Sequence, residues 1–266
     1  MTTLLRADQI GQGFTPVFGA DKRDPLTRLY VGRLKLESGV DAFAGQTGED
    51  EMAIHVLVGL CSVSIGGHPF ARLGDRMSVF ADCPHVLHLP PNTSFAITPG
   101  SPSVDISLVR CRTDKTFAPY VVRPSDARIH TIGDGPTRRT VREIIGERAP
   151  GDLRLGETIN PPGGWSSYPP HSFDRDPALA ADFEEVFLYV TNPRGGFGLQ
   201  PRRGLLCDGS QIDDVVRVGS GDYAILPLGE HPIAAGPDNQ LWYAWYYLSP
   251  IPKHYSRWAE ETGGYA

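Results

Sequence analysis

The amino-acid sequence predicts an all-β protein that contains two similar halves. Short runs of alternating or β-branched residues recur between Gly-Gly, Pro-Pro, Pro-Gly and Asn-Pro steps, a pattern typical of β-sandwiches and β-barrels. The chain of 266 residues contains 30 Gly and 24 Pro, which is too many helix breakers for a helical bundle. With 40% hydrophobic and 21% charged residues it can bury a core and need not be disordered.

The predicted strands form two sets along the chain. The first set covers 28–36, 53–65, 76–81, 85–90 and 104–111. The second set covers 184–191, 196–200, 215–219, 222–227 and 241–249. The last of these, LWYAWYYLS, carries large aromatic residues on both faces, which predicts a strand buried on both sides and a contact between subunits.

Helix signals are few. The segment VREIIGER at 141–148 predicts a short helix in the middle of the chain. Asp176 and Pro177 are a suitable N-cap and N1 pair for a helical turn. A C-terminal helix is expected around 252–260.

A repeated pattern links the two sets of strands. Glu51 opens the strand EMAIHV and Glu185 opens EVFLYV, and a Leu-Pro turn follows each of them, at Leu89 and at Leu226. The pattern predicts a duplication, with an N-terminal barrel in 1–125 and a C-terminal barrel in 126–266. The similarity is weak, and coincidence stays an alternative. Only the second half has a histidine, His231, after its Leu-Pro turn, so the first half is expected to lack a metal site.

Composition excludes several functional classes. The net charge of −6 gives no basic field for a nucleic acid. No apolar run reaches the length of a membrane helix, and the N-terminus lacks an apolar stretch of signal-peptide length. A cytoplasmic enzyme is therefore expected. The cysteines show no metal-binding or redox spacing and are expected to be free, buried thiols; they are Cys61, Cys83, Cys111 and Cys207.

The residues with most chemical content lie in the second half. His171 follows two prolines, Glu185 begins a predicted strand, and His231 lies in a turn at a strand end. Imidazole and carboxylate together suit Zn, Fe, Mn or Ni, although a single histidine is more often a satisfied polar residue, so both readings stay open. Trp165 and Tyr168 suit either a sugar pocket or core packing. By contrast, His85 and His88 in PHVLHLP are expected on opposite faces of a strand, which disfavours a shared metal.

Several motifs together resemble a known family. They are GDRMSVF (74–80), GETINPPGGWSSYPPH (156–171), FEEVFLYV (183–190), GFGLQ (196–200) and GEHPI (229–233). The chain resembles the cupin superfamily and, within it, the 5-deoxy-glucuronate isomerases of inositol catabolism and the related 5-keto-4-deoxyuronate isomerases of pectin breakdown. The resemblance implies a bicupin of two jelly-roll-like β-barrels, a small sugar acid as ligand and association as a homodimer.

The resemblance also implies a metal site. The family's ligands are an H-x-H pair, a glutamate and a later histidine, and they fall on His171, Glu185 and His231. The second histidine of the pair falls on Phe173, which has no lone pair to offer. A divalent transition metal (Zn, Mn, Fe or Ni) is therefore expected with three protein ligands, and Phe173 leaves weakened and lost binding both open.

The implied reaction is an aldose–ketose isomerisation of the sugar acid through an enediolate. The proton-transfer group is expected to be Glu184 or Tyr247. Where the family has Gln-Arg, the chain reads Gln-Pro-Arg-Arg, so Arg202 or Arg203 is a candidate to bind the substrate carboxylate, and exposed surface arginines are the alternative. Two other functions stay open: a metal-poor, non-catalytic protein that binds a sugar acid or acts in regulation or structure, and oxygenation with Fe(II).

Overall fold

The computed structural model describes residues 2–19, 24–168, 170 and 183–248. The predictions for His171 and Phe173, and for the helices at 176–177 and 252–260, lie outside the described residues.

The first half consists of short antiparallel strands. They are β1 (Leu4–Leu5), β2 (Gly13–Phe18), β3 (Leu29–Glu37), β4 (Phe43–Gln46), β5 (Asp50–Val58), β6 (Leu60–Ile65), β7 (His68–Gly74), β8 (Val86–Leu89), β9 (Ser94–Pro99), β10 (Ser103–Arg112) and β11 (Tyr120–Val122).

The second half repeats this construction. Its strands are β12 (Arg128–Ile132), β13 (Arg139–Ile145), β14 (Leu153–Asn160), β15 (Trp165–Ser166), β16 (Glu185–Asn192), β17 (Gly198–Leu205), β18 (Gln211–Val218), β19 (Tyr223–Leu226), β20 (Leu228–Glu230), β21 (Ile233–Ala235) and β22 (Gln240–Leu248). The helical segments of the described residues are 3₁₀ turns at Ala7–Gln9, Pro124–Asp126 and Gly135–Thr137.

The predicted helix at 141–148 is wrong. Most of it lies in β13, which pairs with β12 on one side and β14 on the other. Val141, Ile144 and Ile145 are β-branched, and such side chains fit a pleated surface better than a helical turn.

The sheets show the duplication. The larger sheets run β11-β8-β5-β10-β3-β2 and β1-β19-β16-β22-β14-β13-β12, and the smaller ones run β4-β9-β6-β7 and β15-β21-β17-β18. The two halves thus have matching strand orders. The all-β prediction is confirmed, with each half built from two facing open sheets. Strand β1 belongs to the sheet of the second half, and the boundary between 125 and 126 stays a prediction.

The four sheets form four layers. One apolar cluster fills the first half between its two sheets, a second cluster fills the second half, and the third lies between the two larger sheets. Strand β22 illustrates this packing, because Trp242 and Tyr246 face the other half whereas Tyr243 and Trp245 face the smaller sheet. Its predicted burial on both sides is confirmed, with both faces covered by the same chain, and the predicted contact between subunits stays a prediction.

Two glutamates tie the halves together in a reciprocal way. Glu51 of the first half accepts hydrogen bonds from the backbone N–H groups of Asp152 (2.5 Å) and Leu153 (3.2 Å), where β14 begins. Glu184 of the second half accepts one from the N–H of Leu29 (2.7 Å), where β3 begins. Because β3 and β14 occupy matching places in their sheets, each glutamate anchors the equivalent strand of the other half.

A buried polar cluster also joins the two larger sheets. Glu157 on β14 accepts hydrogen bonds from Arg76 (2.6 Å) and Arg142 (3.0 Å), and His55 of β5 lies 3.0 Å from it. Burial alone would raise the pKa of Glu157, but the charge of Arg76 and the hydrogen bonds from His55 and Arg76 hold that pKa well below its usual range. A carboxylate, and not a carboxylic acid, therefore lies between the halves.

The cysteines are free, as predicted, and three of the four are buried. Cys207 is exposed, because it lies in the turn between β17 and β18, where its thiol donates to the carbonyl of Pro25 at 2.7 Å. In the described part of the chain, no helix is long and apolar enough to cross a membrane.

Candidate active site in the second half

The first residue of β16 places a carboxyl group inside the second half. Glu185 shares the inward face of this strand with Phe187 and Tyr189, which belong to the apolar cluster between the two sheets. Successive strand residues face opposite ways, so Glu184 faces the first half instead. Glu185 is 6% exposed, and carboxyl groups are rarely buried to this degree unless they are paired.

His231 lies beside Glu185. It occupies the short connection between β20 and β21 and is 2% exposed. Its Nε2 atom is 3.4 Å from Oε2 of Glu185, and its ring meets the ring of Phe187 edge-on, with centroids 6.0 Å apart. The structure thus brings together two of the three predicted ligands.

Burial dominates the electrostatics of this pair. Desolvation raises the pKa of Glu185 to about 8. Desolvation likewise lowers the pKa of His231 to about 4, although the backbone at Gly229 and Pro227 favours the charged ring. The pair therefore consists of a neutral carboxylic acid and a neutral imidazole at neutral pH. Among the described residues, Oε2 of Glu185 has no hydrogen-bond partner.

The described pair is a partial donor set. Within residues 2–19, 24–168, 170 and 183–248, no three His, Cys, Asp or Glu side chains are arranged to hold a metal. The third predicted ligand, His171, and the departure at Phe173 lie outside these ranges. Their roles stay predictions.

Tyr247 lies directly across from Glu185 on the neighbouring strand. The two residues are register partners in β22 and β16, so their side chains share one face of the sheet. Tyr247 is 8% exposed, and its ring lies 6.0 Å from that of Phe183 and 5.6 Å from that of Trp245. The structure therefore places this predicted proton-transfer residue in the same interior as the Glu185–His231 pair.

Glu184 has a different role from the one predicted. Its carboxylate accepts hydrogen bonds from the hydroxyl of Thr27 (2.7 Å) and from the backbone N–H groups of Thr27 (2.9 Å), Arg28 (3.1 Å) and Leu29 (2.7 Å). A carboxylate with this many donors is fixed in place and hydrogen-bonded in its charged form. These contacts make Glu184 a structural anchor on the opposite face from Glu185 and favour that role over the predicted proton transfer.

The two arginines of β17 lie on opposite faces of the strand. Arg202 is 2% exposed; its guanidinium makes a two-bond pair with Asp214 (2.9 and 2.7 Å) and donates to the carbonyls of Thr3 and Ile225. These contacts favour a structural role over a grip on substrate. Arg203 points the other way and is exposed. No described contact joins either side chain to the Glu185–His231 pair.

Trp165 and Tyr168 form a small aromatic surface. Their rings are 5.7 Å apart at 58°, and Tyr168 is 50% exposed. Trp165 pairs with Ala234 on β21, the strand that follows His231. The pair is thus partly open to solvent on a strand next to the His231 segment, and its contact with a sugar stays a prediction.

Comparison with known proteins decides the family. The sequence matches the KduI/IolB family over residues 5–262. The chain belongs to this family. The 5-deoxy-glucuronate isomerase of Shouchella clausii (strain KSM-K16) is 31% identical over 244 residues, which are 90% of this chain and 86% of that protein. The resemblance that the motifs indicated is confirmed. The names of the relatives also confirm the prediction of an isomerase.

Solved structures share the fold of this KduI/IolB-family chain. An IolB-like protein from Salmonella typhimurium LT2 superposes with a TM-score of 0.83, at 22% identity over 95% of both chains. A cupin 2 conserved barrel domain protein from Leptotrichia buccalis gives 0.53, at 8% identity over 94% of this chain and 98% of that one. Bacillus subtilis oxalate decarboxylase, a protein with Mn(II) centres, gives 0.58, at 10% identity over 93% and 77%. The predicted cupin fold is confirmed.

Sequence reasoning missed the polar residues behind the site of this family member. Tyr189 and Gln200 are fully buried and hydrogen-bonded to each other (3.0 Å), and Gln200 also contacts the backbone of His231. Ser166 bonds the hydroxyl of Tyr243 at 2.8 Å. A signal was present, since a glutamine at an inward position of a strand needs a buried partner.

Proposed function

We propose that this KduI/IolB-family chain is a metal-assisted aldose–ketose isomerase that acts on a sugar acid resembling 5-deoxy-glucuronate. The observation that carries the proposal is the buried Glu185–His231 pair, with Tyr247 across from it, inside the second half. Relatives that carry the name 5-deoxy-glucuronate isomerase support the substrate class. The same proposal includes a cytoplasmic location, a homodimer and no nucleic-acid partner.

The donors in this interior fit a divalent metal. Oε2 of Glu185 is buried without a hydrogen-bond partner among the described residues, and an imidazole nitrogen is 3.4 Å away. A carboxylate and an imidazole are the ligands that Zn, Mn, Fe and Ni accept. Glu185 and His231 would hold the metal, with His171 as the predicted third ligand. When bound, the metal would polarise the carbonyl and the adjacent hydroxyl of the sugar.

The chain's own residues would bind the sugar and move the proton. Isomerisation transfers one proton between neighbouring carbons through an enediolate. Of the two predicted proton-transfer residues, only Tyr247 shares a face with Glu185, so we assign the transfer to its hydroxyl. The stacked rings of Phe187 and Tyr243, 4.7 Å apart, help to exclude water from this interior. Trp165 and Tyr168 would pack against the sugar ring.

A second function has an observation in its favour. The Glu185–His231 pair is uncharged near neutral pH because burial shifts both pKa values, and Phe173 stands where the family has a further histidine. A neutral pair of this kind also suits a protein that binds a sugar acid without converting it. Metal content and turnover separate the two functions.

The test begins with the metal content of the purified protein after supply of Mn, Fe, Ni and Zn. The proposal predicts close to one metal per chain in the wild type, little in Glu185→Ala and His231→Ala, and a normal content in the control Glu230→Ala, which removes a carboxylate next to His231 in sequence. Conversion of 5-deoxy-glucuronate is then followed by loss of its aldehyde signal. Sugar-acid binding without metal or conversion would favour the second function, and a strict requirement for O₂ would indicate an oxygenase.

A further inference from the structure

The strand β17 loses its pairing at the point where it passes His231. It pairs with β20 up to Arg203 and Glu230, and with β21 from Leu199 and Ala234. Continuing either pairing into the gap brings Pro201 opposite Pro232. Proline has no backbone N–H and cannot donate to a ladder. The backbone carbonyls of this segment therefore need a donor from elsewhere.

The side chain of Gln200 is that donor. Its Nε2 atom is 2.8 Å from the carbonyl oxygen of His231 and 2.9 Å from that of Pro232, which uses both amide hydrogens. Its Oε1 atom accepts a hydrogen bond from the hydroxyl of Tyr189 at 3.0 Å. This arrangement fixes the orientation of the amide, because the reverse orientation would set Oε1 against two carbonyl oxygens.

The hydrogen bond from Tyr189 links Gln200 to the strand that carries Glu185, the other candidate ligand. Tyr189 stands on β16 on the same inward face as Glu185. Gln200 and Tyr189 are both completely buried, so water does not compete for their hydrogen bonds. The chain of contacts thus runs from the strand that carries Glu185, through Tyr189 and Gln200, to the backbone of His231.

We propose that Gln200 is the positioning residue of the proposed site, and this rests on the function proposed above. Its amide replaces the ladder bonds that Pro201 and Pro232 cannot make. It thereby holds the His231 backbone so that the imidazole stays 3.4 Å from Glu185. Support of this kind, behind a ligand and not in contact with metal or substrate, changes metal affinity when it is removed.

The decisive variant is Gln200→Glu, which keeps the shape of the side chain and replaces the amide donor by an oxygen. The matched control is Asn239→Asp. Asn239 is also a buried carboxamide that bridges backbone atoms, but its partners are the N–H and carbonyl of Phe197, at 3.0 and 3.1 Å, and the carbonyl of Gln240, at 3.0 Å. Tyr189→Phe, which removes one hydroxyl, serves as the milder variant if Gln200→Glu does not fold.

Two measurements are made on the metal-free protein. Titration with Mn²⁺ and Zn²⁺ is expected to show a loss of about 10- to 100-fold in affinity for Gln200→Glu, a smaller loss for Tyr189→Phe and none for Asn239→Asp. The ¹⁵N-histidine NMR spectrum, with His231→Ala for assignment, is expected to show displaced His231 ring signals in Gln200→Glu and unchanged ones in Asn239→Asp. If Gln200 had a purely structural role, Tm would fall in both carboxamide variants. The metal affinity and the His231 ring signals of Gln200→Glu would then match those of Asn239→Asp.

The two proposals fail separately. If the wild type binds no metal and converts no sugar acid, the proposed function is wrong, whereas the His231 ring signals still report whether Gln200 holds that residue. If a folded Gln200→Glu or Tyr189→Phe protein keeps wild-type ring signals and wild-type metal affinity, the positioning role is overturned.

Discussion

Burial keeps both members of the Glu185–His231 pair uncharged near neutral pH. An isolated carboxyl group would be ionised there, but desolvation raises the pKa of Glu185 to about 8. Desolvation lowers the pKa of His231 to about 4. Such opposed pKa shifts inside an enclosed interior are common at functional sites, because a charge there is stabilised only when a ligand or a cation binds.

The free energy of unfolding of the metal-free protein should fall as the pH rises above 6.5. Between 4.5 and 6.5 the ordinary pKa values ionise Glu185 and protonate His231 in the unfolded chain, whereas the folded pair holds its single proton on Glu185. The folded and unfolded states therefore hold the same number of protons, so the pair adds no pH dependence to the stability in this range. From 6.5 to about 8 only the folded state holds the proton, and stability falls by about 1.4 kcal/mol per pH unit.

Urea unfolding at several pH values, in the presence of a chelator, measures this slope. In Glu185→Gln the same window is expected to lose that contribution, since glutamine does not titrate. Identical slopes for the wild type and Glu185→Gln would show that Glu185 is ionised in the folded protein.

Tyr247→Phe should lower kcat by about 10²–10⁴-fold, the usual contribution of a positioned acid or base, and leave metal content unchanged. The control is Tyr243→Phe, four residues earlier on the same face of the same strand, whose hydroxyl bonds Ser166. A Tyr247→Phe enzyme with wild-type kcat would remove this residue from the mechanism.

Element type was easiest to predict where the pattern was long. Strand β22 has aromatic residues on both faces, and burial on both sides follows directly. The segment 141–148 was misassigned because a short apolar run fits both a helix and a strand, and pairing with β12 and β14 decides the matter. The partner strands lie outside this segment, so the segment alone could not predict the pairing.

Successive side chains of β17 face opposite sides of the sheet, so Arg202 and Arg203 lie in different surroundings. Arg202→Met should lower the free energy of unfolding by about 1–3 kcal/mol, because it removes the bonds to Asp214 and to two backbone carbonyls. Its KM for a sugar acid should stay at the wild-type value. Arg203→Met, on the exposed face, should change neither the free energy of unfolding nor KM. A raised KM in Arg202→Met with unchanged stability would restore the predicted contact with the substrate carboxylate.

At the scale of the molecule, the duplication was predictable but its alignment was off by one residue. The sequence pattern matches Glu51 with Glu185. In the structure, the position before Glu185 corresponds to Glu51, because Met52 and Glu185 both pair with the leucine that ends the neighbouring strand. A slip of one residue transfers a side chain to the other face of a sheet. Glu184, and not Glu185, is therefore the counterpart of Glu51, and both are anchors between the halves.

The polar cluster between the halves should be sensitive to the loss of its carboxylate. Glu157→Leu leaves Arg76 and Arg142 buried without their shared anion, which is expected to cost about 3–5 kcal/mol of stability. Denaturant unfolding measures this. The Glu143→Leu control removes a carboxylate from β13 that lies 3.8 Å from exposed Arg128, and should cost about 1 kcal/mol or less. Equal losses in the two variants would mean that the buried cluster contributes no more than a surface pair.

The reciprocal anchors make a prediction about where the molecule loosens. In Glu184→Gln the start of β3 loses charged hydrogen bonds, so the amide of Leu29 should exchange with solvent faster, whereas that of Leu153 at the start of β14 should not. Glu51→Gln should do the reverse. Each variant should cost about 1.5–3 kcal/mol, since each removes hydrogen bonds to a buried charge, and each should keep its metal content. Hydrogen exchange read by NMR measures both amides in both variants. If either variant speeds the exchange of both amides equally, the two anchors act as one cooperative interface, and the picture of each half independently holding the other's strand is wrong.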